Sequence, residues 1–209
     1  MTGRERVLNT LAFRGSDRIP LDIWVLPAAR LAHGKAFEEL QARYADRLDI
    51  TSFVGPFDHG FTPEYYQVGT YTDPWGSQWT NIQAGVVGEV KHPVFADYEA
   101  MKGYTPPTEQ FLREWERNKP ALTEQIAAAR KTGKFLIGGW VSVFERFQFL
   151  RGTENLYCDI ALEEPEMFAM MDMVMEFLRV YVDAWLAMDV DAVPFGDDWG
   201  TQRSLLISP

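Results

Sequence analysis

Short apolar runs alternate with amphipathic helical segments along much of this 209-residue chain. Strands that are joined by helices are usually parallel and buried on both faces, so the alternation predicts an α/β fold. Helical spacing covers residues 2–13, 28–44 and 165–188, and apolar runs typical of strands cover residues 17–24, 49–54, 134–140 and 191–196.

Polar or aromatic side chains stand where these predicted strands end. Asp22 and Trp24 belong to the first strand, Trp140 to the third, and Asp197 and Asp198 follow the fourth. Such strand ends line the mouth of a (β/α)8 TIM barrel, which is the fold we predict. A closed barrel needs eight strands and about 250 residues. We therefore expect an incomplete barrel.

The middle of the chain has a different pattern, with turn residues between short β-prone pieces. Residues 66–95 predict a β-hairpin insertion within a single domain that covers residues 1–209. Asp73 and Trp75 stand in an Asp-Pro-Trp-Gly turn and are expected to fix this hairpin. The helix over residues 108–132 is expected to split at Pro120. For the helix over residues 165–188, the spacing predicts an apolar face that includes Phe168, Met171, Met175, Leu178, Val182, Trp185 and Leu186.

Composition and charge exclude several classes of function. The formal net charge of −10 argues against a nucleic-acid partner, which needs clustered Lys and Arg. A single cysteine, Cys158, excludes an internal disulfide and a Cys-rich metal site. Charges interrupt every long apolar stretch, so no membrane span is predicted. The start of the chain reads as an amphipathic helix and not as a secretory signal, so a cytoplasmic location is the expectation.

Several short motifs, taken in their order along the chain, resemble those of the uroporphyrinogen decarboxylase superfamily. They are Arg-Glu-Arg-Val-Leu from Arg4, Asp-Arg-Ile-Pro from Asp17, Asp-Pro-Trp-Gly from Asp73, Ile-Gly-Gly-Trp-Val-Ser-Val-Phe-Glu-Arg-Phe from Ile137, Leu-Arg-Gly from Leu150, Asp-Asp-Trp-Gly from Asp197, and Ser-Pro from Ser208. The resemblance implies a (β/α)8 barrel, of which this chain would be the N-terminal half or somewhat more.

The superfamily includes decarboxylases of uroporphyrinogen and zinc enzymes that transfer a methyl group between a corrinoid protein and a thiol. The decarboxylases carry an Arg-Gln-Ala-Gly-Arg segment after the first strand, whereas only Arg30 is cationic here. They place serine where this chain has Asp198, and a substrate-facing tyrosine where it has Gln148. A polyanionic tetrapyrrole needs several paired cations in its cavity. These departures favour the methyltransferase branch.

The resemblance and the strand ends together select candidate site residues. Asp198 and Asp197 are the candidate catalytic acids, although a helix cap or a pair with Arg203 would also explain one of them. Glu145 and Arg146 are expected to pair with each other or to face the cavity. The candidate substrate-binding residues are Asp22, Trp24, Arg30, Asp58, His59, Trp140, Glu145, Gln148 and Trp199.

Methyl transfer that involves a corrinoid protein and a small-molecule substrate is therefore the expected function. No metal site is predicted from the residues present, since His33, His59 and His92 lack the spacing of a zinc site. The resemblance implies that zinc ligands would follow residue 209 and that the corrinoid belongs to a partner protein. Decarboxylation of uroporphyrinogen or another carboxylated substrate is one alternative. A non-catalytic half-barrel that serves as an interaction module is the other, and its open sheet edge would have to be covered, for example in a homodimer.

Overall fold

The computed structural model describes residues 1–57 and 63–208. They form a mixed α/β structure with six α-helices and two small sheets. The helices are α1 (Gly3–Leu11), α2 (Pro27–Tyr44), α3 (Thr108–Arg130), α4 (Phe144–Arg151), α5 (Thr153–Leu162) and α6 (Pro165–Leu186). The strands are β1 (Ile50–Phe53), β2 (Gly69–Thr72), β3 (Gln78–Asn81), β4 (Glu89–His92) and β5 (Phe135–Gly138).

The central sheet is parallel, as the alternating pattern predicts. β1 pairs with β5 in the register Ile50 to Phe135 and Phe53 to Gly138. Residues 191–196 lie on the other side of β5, joined by parallel bridges that include Val141 and Phe195. The described strands do not close into a barrel. Their carboxyl ends meet at one edge, which positions the candidate site described below.

Residues 17–24 do not form the predicted first strand. The backbone N–H of Asp49 donates to the Leu21 carbonyl at 2.8 Å, but Ile19 and Trp24 are each 80% exposed. A buried parallel strand would place such apolar side chains against helices on its faces. The prediction of a strand is therefore wrong, and the segment runs along the surface as loop.

A three-stranded antiparallel sheet of β2, β3 and β4 lies where the sequence predicts a hairpin. Asp73 organises the turn between β2 and β3. Its carboxylate accepts hydrogen bonds from the backbone N–H groups of Trp75 and Ser77, both at 2.9 Å, and from the Trp79 indole at 3.0 Å. The expectation that Asp73 fixes this turn is confirmed.

Two helices differ from their predicted form. α3 continues through Pro120, which is exposed, so the predicted split is wrong. α6 begins with Pro165 in its first turn, a position that proline suits because its missing N–H would have no helical partner. The predicted apolar face of α6 is rotated, since Phe168 is 49% exposed and Leu186 is 64% exposed. The buried face is Met167, Met170, Val174, Phe177, Tyr181 and Trp185.

Ion pairs join α1 to the amino ends of the parallel strands. Asp49, just before β1, pairs with Arg6 and Arg18. Asp191, at the start of residues 191–196, pairs with Arg4 at 2.8 Å and with Arg130 of α3 at 2.7 Å. Burial acts to raise the pKa of both carboxyls, but hydrogen bonds from these arginines and from the backbone lower it overall. Ion pairs between these two carboxylates and the arginines therefore stabilise the amino-terminal edge of the sheet.

The helices of the described residues include none with the length and apolar character needed to cross a membrane.

Candidate functional site

The candidate site lies where β5 and residues 191–196 reach the carboxyl edge of the sheet. The Val141 N–H donates to the Pro194 carbonyl at 3.0 Å, and the Gly196 N–H donates to the Val141 carbonyl at 2.9 Å. These bonds place Val141 beside residues 194–196, and the Ser142 hydroxyl donates to the Gly196 carbonyl. Residues separated by more than fifty positions in the sequence therefore meet at one edge of the sheet.

Glycines allow aromatic rings to pack directly on the backbone of these strand ends. A Cβ atom at Gly196 would lie 2.2 Å from the Trp140 ring, and one at Gly139 would lie 2.3 Å from the Tyr181 hydroxyl. Gly139 also has φ of 67°, a left-handed conformation that favours glycine. The Tyr181 hydroxyl oxygen accepts a hydrogen bond from the Trp140 N–H at 3.1 Å. Trp140 is thereby fixed with 38% of its surface exposed.

Asp197 caps the amino terminus of α4. One carboxylate oxygen accepts from the Val143 N–H at 2.9 Å and the other from the Glu145 N–H at 3.0 Å. Val143, the cap residue of the helix itself, provides no side-chain hydrogen bond to these groups. Asp197 therefore satisfies backbone donors that a helix start otherwise leaves without partners. Both of its oxygens are engaged in holding the helix.

The next two residues, Asp198 and Trp199, are exposed to solvent. Trp199 stacks on Phe144 of α4, with ring centroids 4.2 Å apart and planes inclined by 10°, and remains 47% exposed. The two adjacent acids thus have different surroundings: Asp197 is bound to the helix, and Asp198 presents its carboxylate to solvent.

A cavity of about 20 Å³ lies beneath Trp140. Ser142, Arg146 and Tyr181 are its polar lining residues. The other apolar lining residues are Phe57, Trp75, Phe177 and Leu178. The volume suits a single water-sized group. Only the terminal group of a substrate would fit there, with the rest of the molecule at the mouth.

Ser142 is 93% buried and connects three parts of the site. Its hydroxyl oxygen lies 2.7 Å from the Glu145 carboxylate and 2.7 Å from the Gly196 carbonyl. Glu145 therefore faces Ser142 and does not pair with Arg146.

Arg146 brings a buried positive charge to the cavity wall. Its guanidinium lies 3.7 Å from the Asp73 carboxylate and 5.4 Å from the centre of the Trp75 ring. Asp73 belongs to the insertion, so this ion pair joins the insertion to α4. Much of the cationic character of the cavity is thereby neutralised by a structural carboxylate.

The remaining predicted residues lie in different places. Gln148 is on α4, where its amide nitrogen is buried with no hydrogen-bond partner in the described part of the chain. Asp22 and Trp24 are exposed on the loop before α2. Arg30 stacks over Phe37 of its own helix at 5.4 Å. Asp58 and His59 fall outside the described residues. The structure brings together the other predicted residues at the carboxyl edge of the sheet: Trp140, Glu145, Asp197, Asp198 and Trp199.

Ser142 and Tyr181 line the cavity, although the sequence did not predict them as site residues. Ser142 comes two residues after the predicted strand. A polar residue at the carboxyl end of a barrel strand is an active-site candidate, and Trp140 is predicted on the same ground. Tyr181 lies in the middle of a helix, and nothing in the local pattern distinguishes it from a core residue.

Among the side chains that the structure describes, no three His, Cys, Asp or Glu groups are placed so that they could hold a metal ion. The resemblance implies that the zinc ligands would follow residue 209.

Comparisons of this chain with protein-family models, with curated proteins and with solved structures gave no match.

Proposed function

We propose that this chain is a methyltransferase-like member of the uroporphyrinogen decarboxylase superfamily, built on the (β/α)8 barrel of that superfamily. In this proposal, a corrinoid protein and a small-molecule substrate meet at the carboxyl edge of the parallel sheet. The observation that carries the proposal is that the exposed residues Trp140, Asp198 and Trp199 follow the carboxyl ends of two neighbouring parallel segments, where active sites of α/β barrels are built.

The aromatic groups at the mouth suit a large, flat partner. Trp140 and Trp199 are each partly exposed and fixed by their packing on Gly196 and Phe144. Half-exposed tryptophans are frequent anchors in interfaces because they bury a large area at little conformational cost. A corrinoid ring that a partner protein carries would find such an anchor at this edge.

The charges of the site favour this function over binding of a polyanionic tetrapyrrole. Asp197, Asp198 and Glu145 are the acids at the strand ends. Arg146, the cation in the cavity wall, lies against Asp73. Desolvation of several substrate carboxylates beside these acids would be costly.

The described chain would hold and orient the substrate, and the corrinoid would supply the methyl group when its protein is bound. Asp198 would act at the mouth, and the cavity beneath Trp140 would receive the terminal group of the acceptor. No step is assigned to zinc, since the described residues do not form its site.

The test uses methylcobalamin as the corrinoid probe and ethanethiol as the acceptor. We expect the protein to accelerate the loss of the methylcobalamin absorbance, and Asp198→Ala to abolish the acceleration while the circular dichroism spectrum is unchanged. Glu154→Ala, at an exposed carboxylate of α5, is the matched control and is expected to retain the activity. No acceleration by the wild-type protein would contradict the proposal, and full activity of Asp198→Ala would remove Asp198 from the site.

Decarboxylation of a smaller carboxylated substrate is the second candidate, favoured by one observation. The buried guanidinium of Arg146 lines the cavity, and arginine pairs well with a single carboxylate. Release of carbon dioxide from such a substrate, or from uroporphyrinogen, with no methyl transfer would establish this alternative.

A further inference from the structure

α1 is attached to the rest of the protein mainly through charged side chains. Arg6 and Val7 are its buried residues, whereas Leu11 is 64% exposed. By contrast, α6 buries six apolar or aromatic side chains. Packing of an apolar face supplies most of the free energy that holds a helix in a protein, and α1 has little of it. Charge therefore decides whether α1 stays attached.

Asp49, just before β1, is the first carboxylate that binds α1. Its side chain is 3% exposed and pairs with Arg6 of α1 and with Arg18, whose guanidinium donates at 2.6 and 2.9 Å. The backbone N–H of Leu21 also donates to this carboxylate, at 2.8 Å. Arg6 is shared with Asp17, which is half exposed. Within the described part of the chain, Arg6 and Arg18 are the charged groups that face Asp49.

Asp191, at the start of residues 191–196, is the second carboxylate. Its side chain is 4% exposed and accepts from Arg4 of α1 at 2.8 Å and from Arg130 of α3 at 2.7 Å. The Leu136 N–H of β5 donates to it at 2.8 Å. Arg130 is shared with Asp189, which is 72% exposed. Among the described residues, Arg4 and Arg130 are the charged groups that face Asp191.

Acid favours detachment of α1. While α1 is attached, burial acts to raise the pKa of Asp49 and Asp191, but hydrogen bonds from the arginines and the backbone hold each pKa below the ordinary value of 3.8. When α1 leaves, each carboxyl loses one arginine and gains water, so its pKa rises toward that value. The detached state then binds more protons as the pH falls, whereas neutral pH favours attachment.

We propose that α1 is a latch that opens as a unit when Asp49 or Asp191 loses its charge, while the apolar core stays folded. The latch consists of Arg4, Arg6, Asp49 and Asp191. Opening breaks their ion pairs and the hydrogen bond from the Arg4 N–H to the Gly133 carbonyl. It exposes the amino edge of the parallel sheet and leaves the candidate site at the carboxyl edge in place. The inference is independent of the proposed methyl transfer.

Hydrogen exchange of the backbone amides in α1 and α6 tests whether the latch opens locally. Local opening exposes less surface than global unfolding, and the exposed surface sets the dependence on urea. In the wild-type protein at neutral pH, we expect α1 to exchange faster than α6, with a weaker dependence on low concentrations of urea. Equal rates and equal urea dependence in the two helices would show that α1 opens only with the whole protein, which overturns the proposal.

Asp191→Asn tests the charge, because it keeps the size of the side chain. We expect the amides of α1 to exchange at least about tenfold faster in this variant, since removal of one partner of a buried ion pair is strongly destabilising. α6 is expected to retain its slower exchange. Asp189→Asn is the matched control, because Asp189 pairs with Arg130 but lies outside the latch, and α1 should exchange at the wild-type rate. Wild-type exchange of α1 in Asp191→Asn overturns the proposal.

Two further measurements keep the inference testable. If Asp191→Asn does not fold, Arg4→Gln removes the half-exposed partner and leaves Arg130 bound to Asp191, and the same acceleration of α1 is expected. Wild-type rates in that variant also overturn the latch. In the wild type, rates corrected for the exchange of free amides should rise in α1 before α6 as the pH is lowered from about 6 to about 3. A rise over the same pH range in both helices would overturn the role of the carboxylates.

Discussion

At the scale of single residues, the two adjacent acids at the end of residues 191–196 have different roles. Asp197 holds α4 through two backbone hydrogen bonds, at 2.9 and 3.0 Å, whereas Asp198 is exposed. Successive residues of an extended chain point in opposite directions, which explains why only one of them reaches the helix. The sequence predicts such a division, but no local pattern indicates which of the two acids caps a helix.

Asp197→Ala should lower the free energy of unfolding by about 1–2 kcal/mol, because loss of a cap leaves backbone donors of α4 without partners. Urea denaturation followed by circular dichroism measures the change. Asp198→Ala is the matched control, with an expected change within about 0.5 kcal/mol for an exposed residue. Equal stabilities of the two variants would contradict the capping role.

Asp17 makes the stability depend on pH in the acid range. Hydrogen bonds from Arg6 lower the pKa of Asp17 from its ordinary value of 3.8 to about 2. Between these values the unfolded chain binds more protons than the folded protein, so stability falls as the pH falls.

We expect the free energy of unfolding to decrease from about pH 4 to about pH 2, with a smaller decrease in Asp17→Asn. Urea denaturation at a series of pH values provides the measurement. Asp198→Asn, which removes an exposed carboxylate, is expected to keep the wild-type dependence. A slope identical in Asp17→Asn and wild type would exclude this contribution.

At the scale of elements, the insertion is fixed to the helices by Trp75. This side chain is 2% exposed and meets Phe177 of α6 edge-on, with ring centroids 4.8 Å apart. Arg146 of α4 lies over its ring, and the Tyr104 hydroxyl donates to its backbone carbonyl at 2.8 Å. The insertion therefore forms one wall of the candidate site and is part of the core.

Trp75→Ala should destabilise the protein by about 3–5 kcal/mol, the usual cost of a large cavity in a core. Trp24→Ala is the matched control because Trp24 is 80% exposed, and its unfolding free energy should change little. Thermal and urea denaturation of the two variants test this difference. A small effect of Trp75→Ala would show that the insertion is not fixed in this way.

The sequence predicted elements whose pattern is local and missed those that depend on distant contacts. β5 and α6 follow from an apolar run and from helical spacing with Pro165 at the start. The loop at residues 17–24 has a strand-like pattern, but Arg18 and Leu21 bind the carboxylate of Asp49, and the apolar side chains of Ile19 and Trp24 stay exposed. The cap on α4 comes from a residue more than fifty positions away, so no local motif reveals it.

At the scale of the whole molecule, residues 191–196 form one edge of the parallel sheet. They pair on the side of β5, and no described strand pairs with their other side. Phe195 is 67% exposed on this segment. Unpaired sheet edges with apolar side chains favour association. A second copy that covers this edge would account for a homodimer.

We expect sedimentation equilibrium to show self-association that depends on protein concentration. Phe195→Lys should weaken it by at least about tenfold, since a charge at a sheet edge opposes pairing. Phe168→Lys, at an exposed apolar residue of α6, is the matched control and should associate like the wild type. A monomer at all concentrations that unfolds cooperatively would contradict this expectation.

The contact between Arg4 and Asp191 joins residues 187 positions apart in the sequence. During synthesis, Arg4 of α1 leaves the ribosome 187 residues before its partner Asp191 at the sheet. Contacts of such long range form slowly, because the intervening chain must lose its freedom before they are made. In the nascent protein, α1 and the amino edge of the sheet therefore stay unassembled until Asp191 has emerged, and we expect chaperones that shield apolar surface to raise its yield.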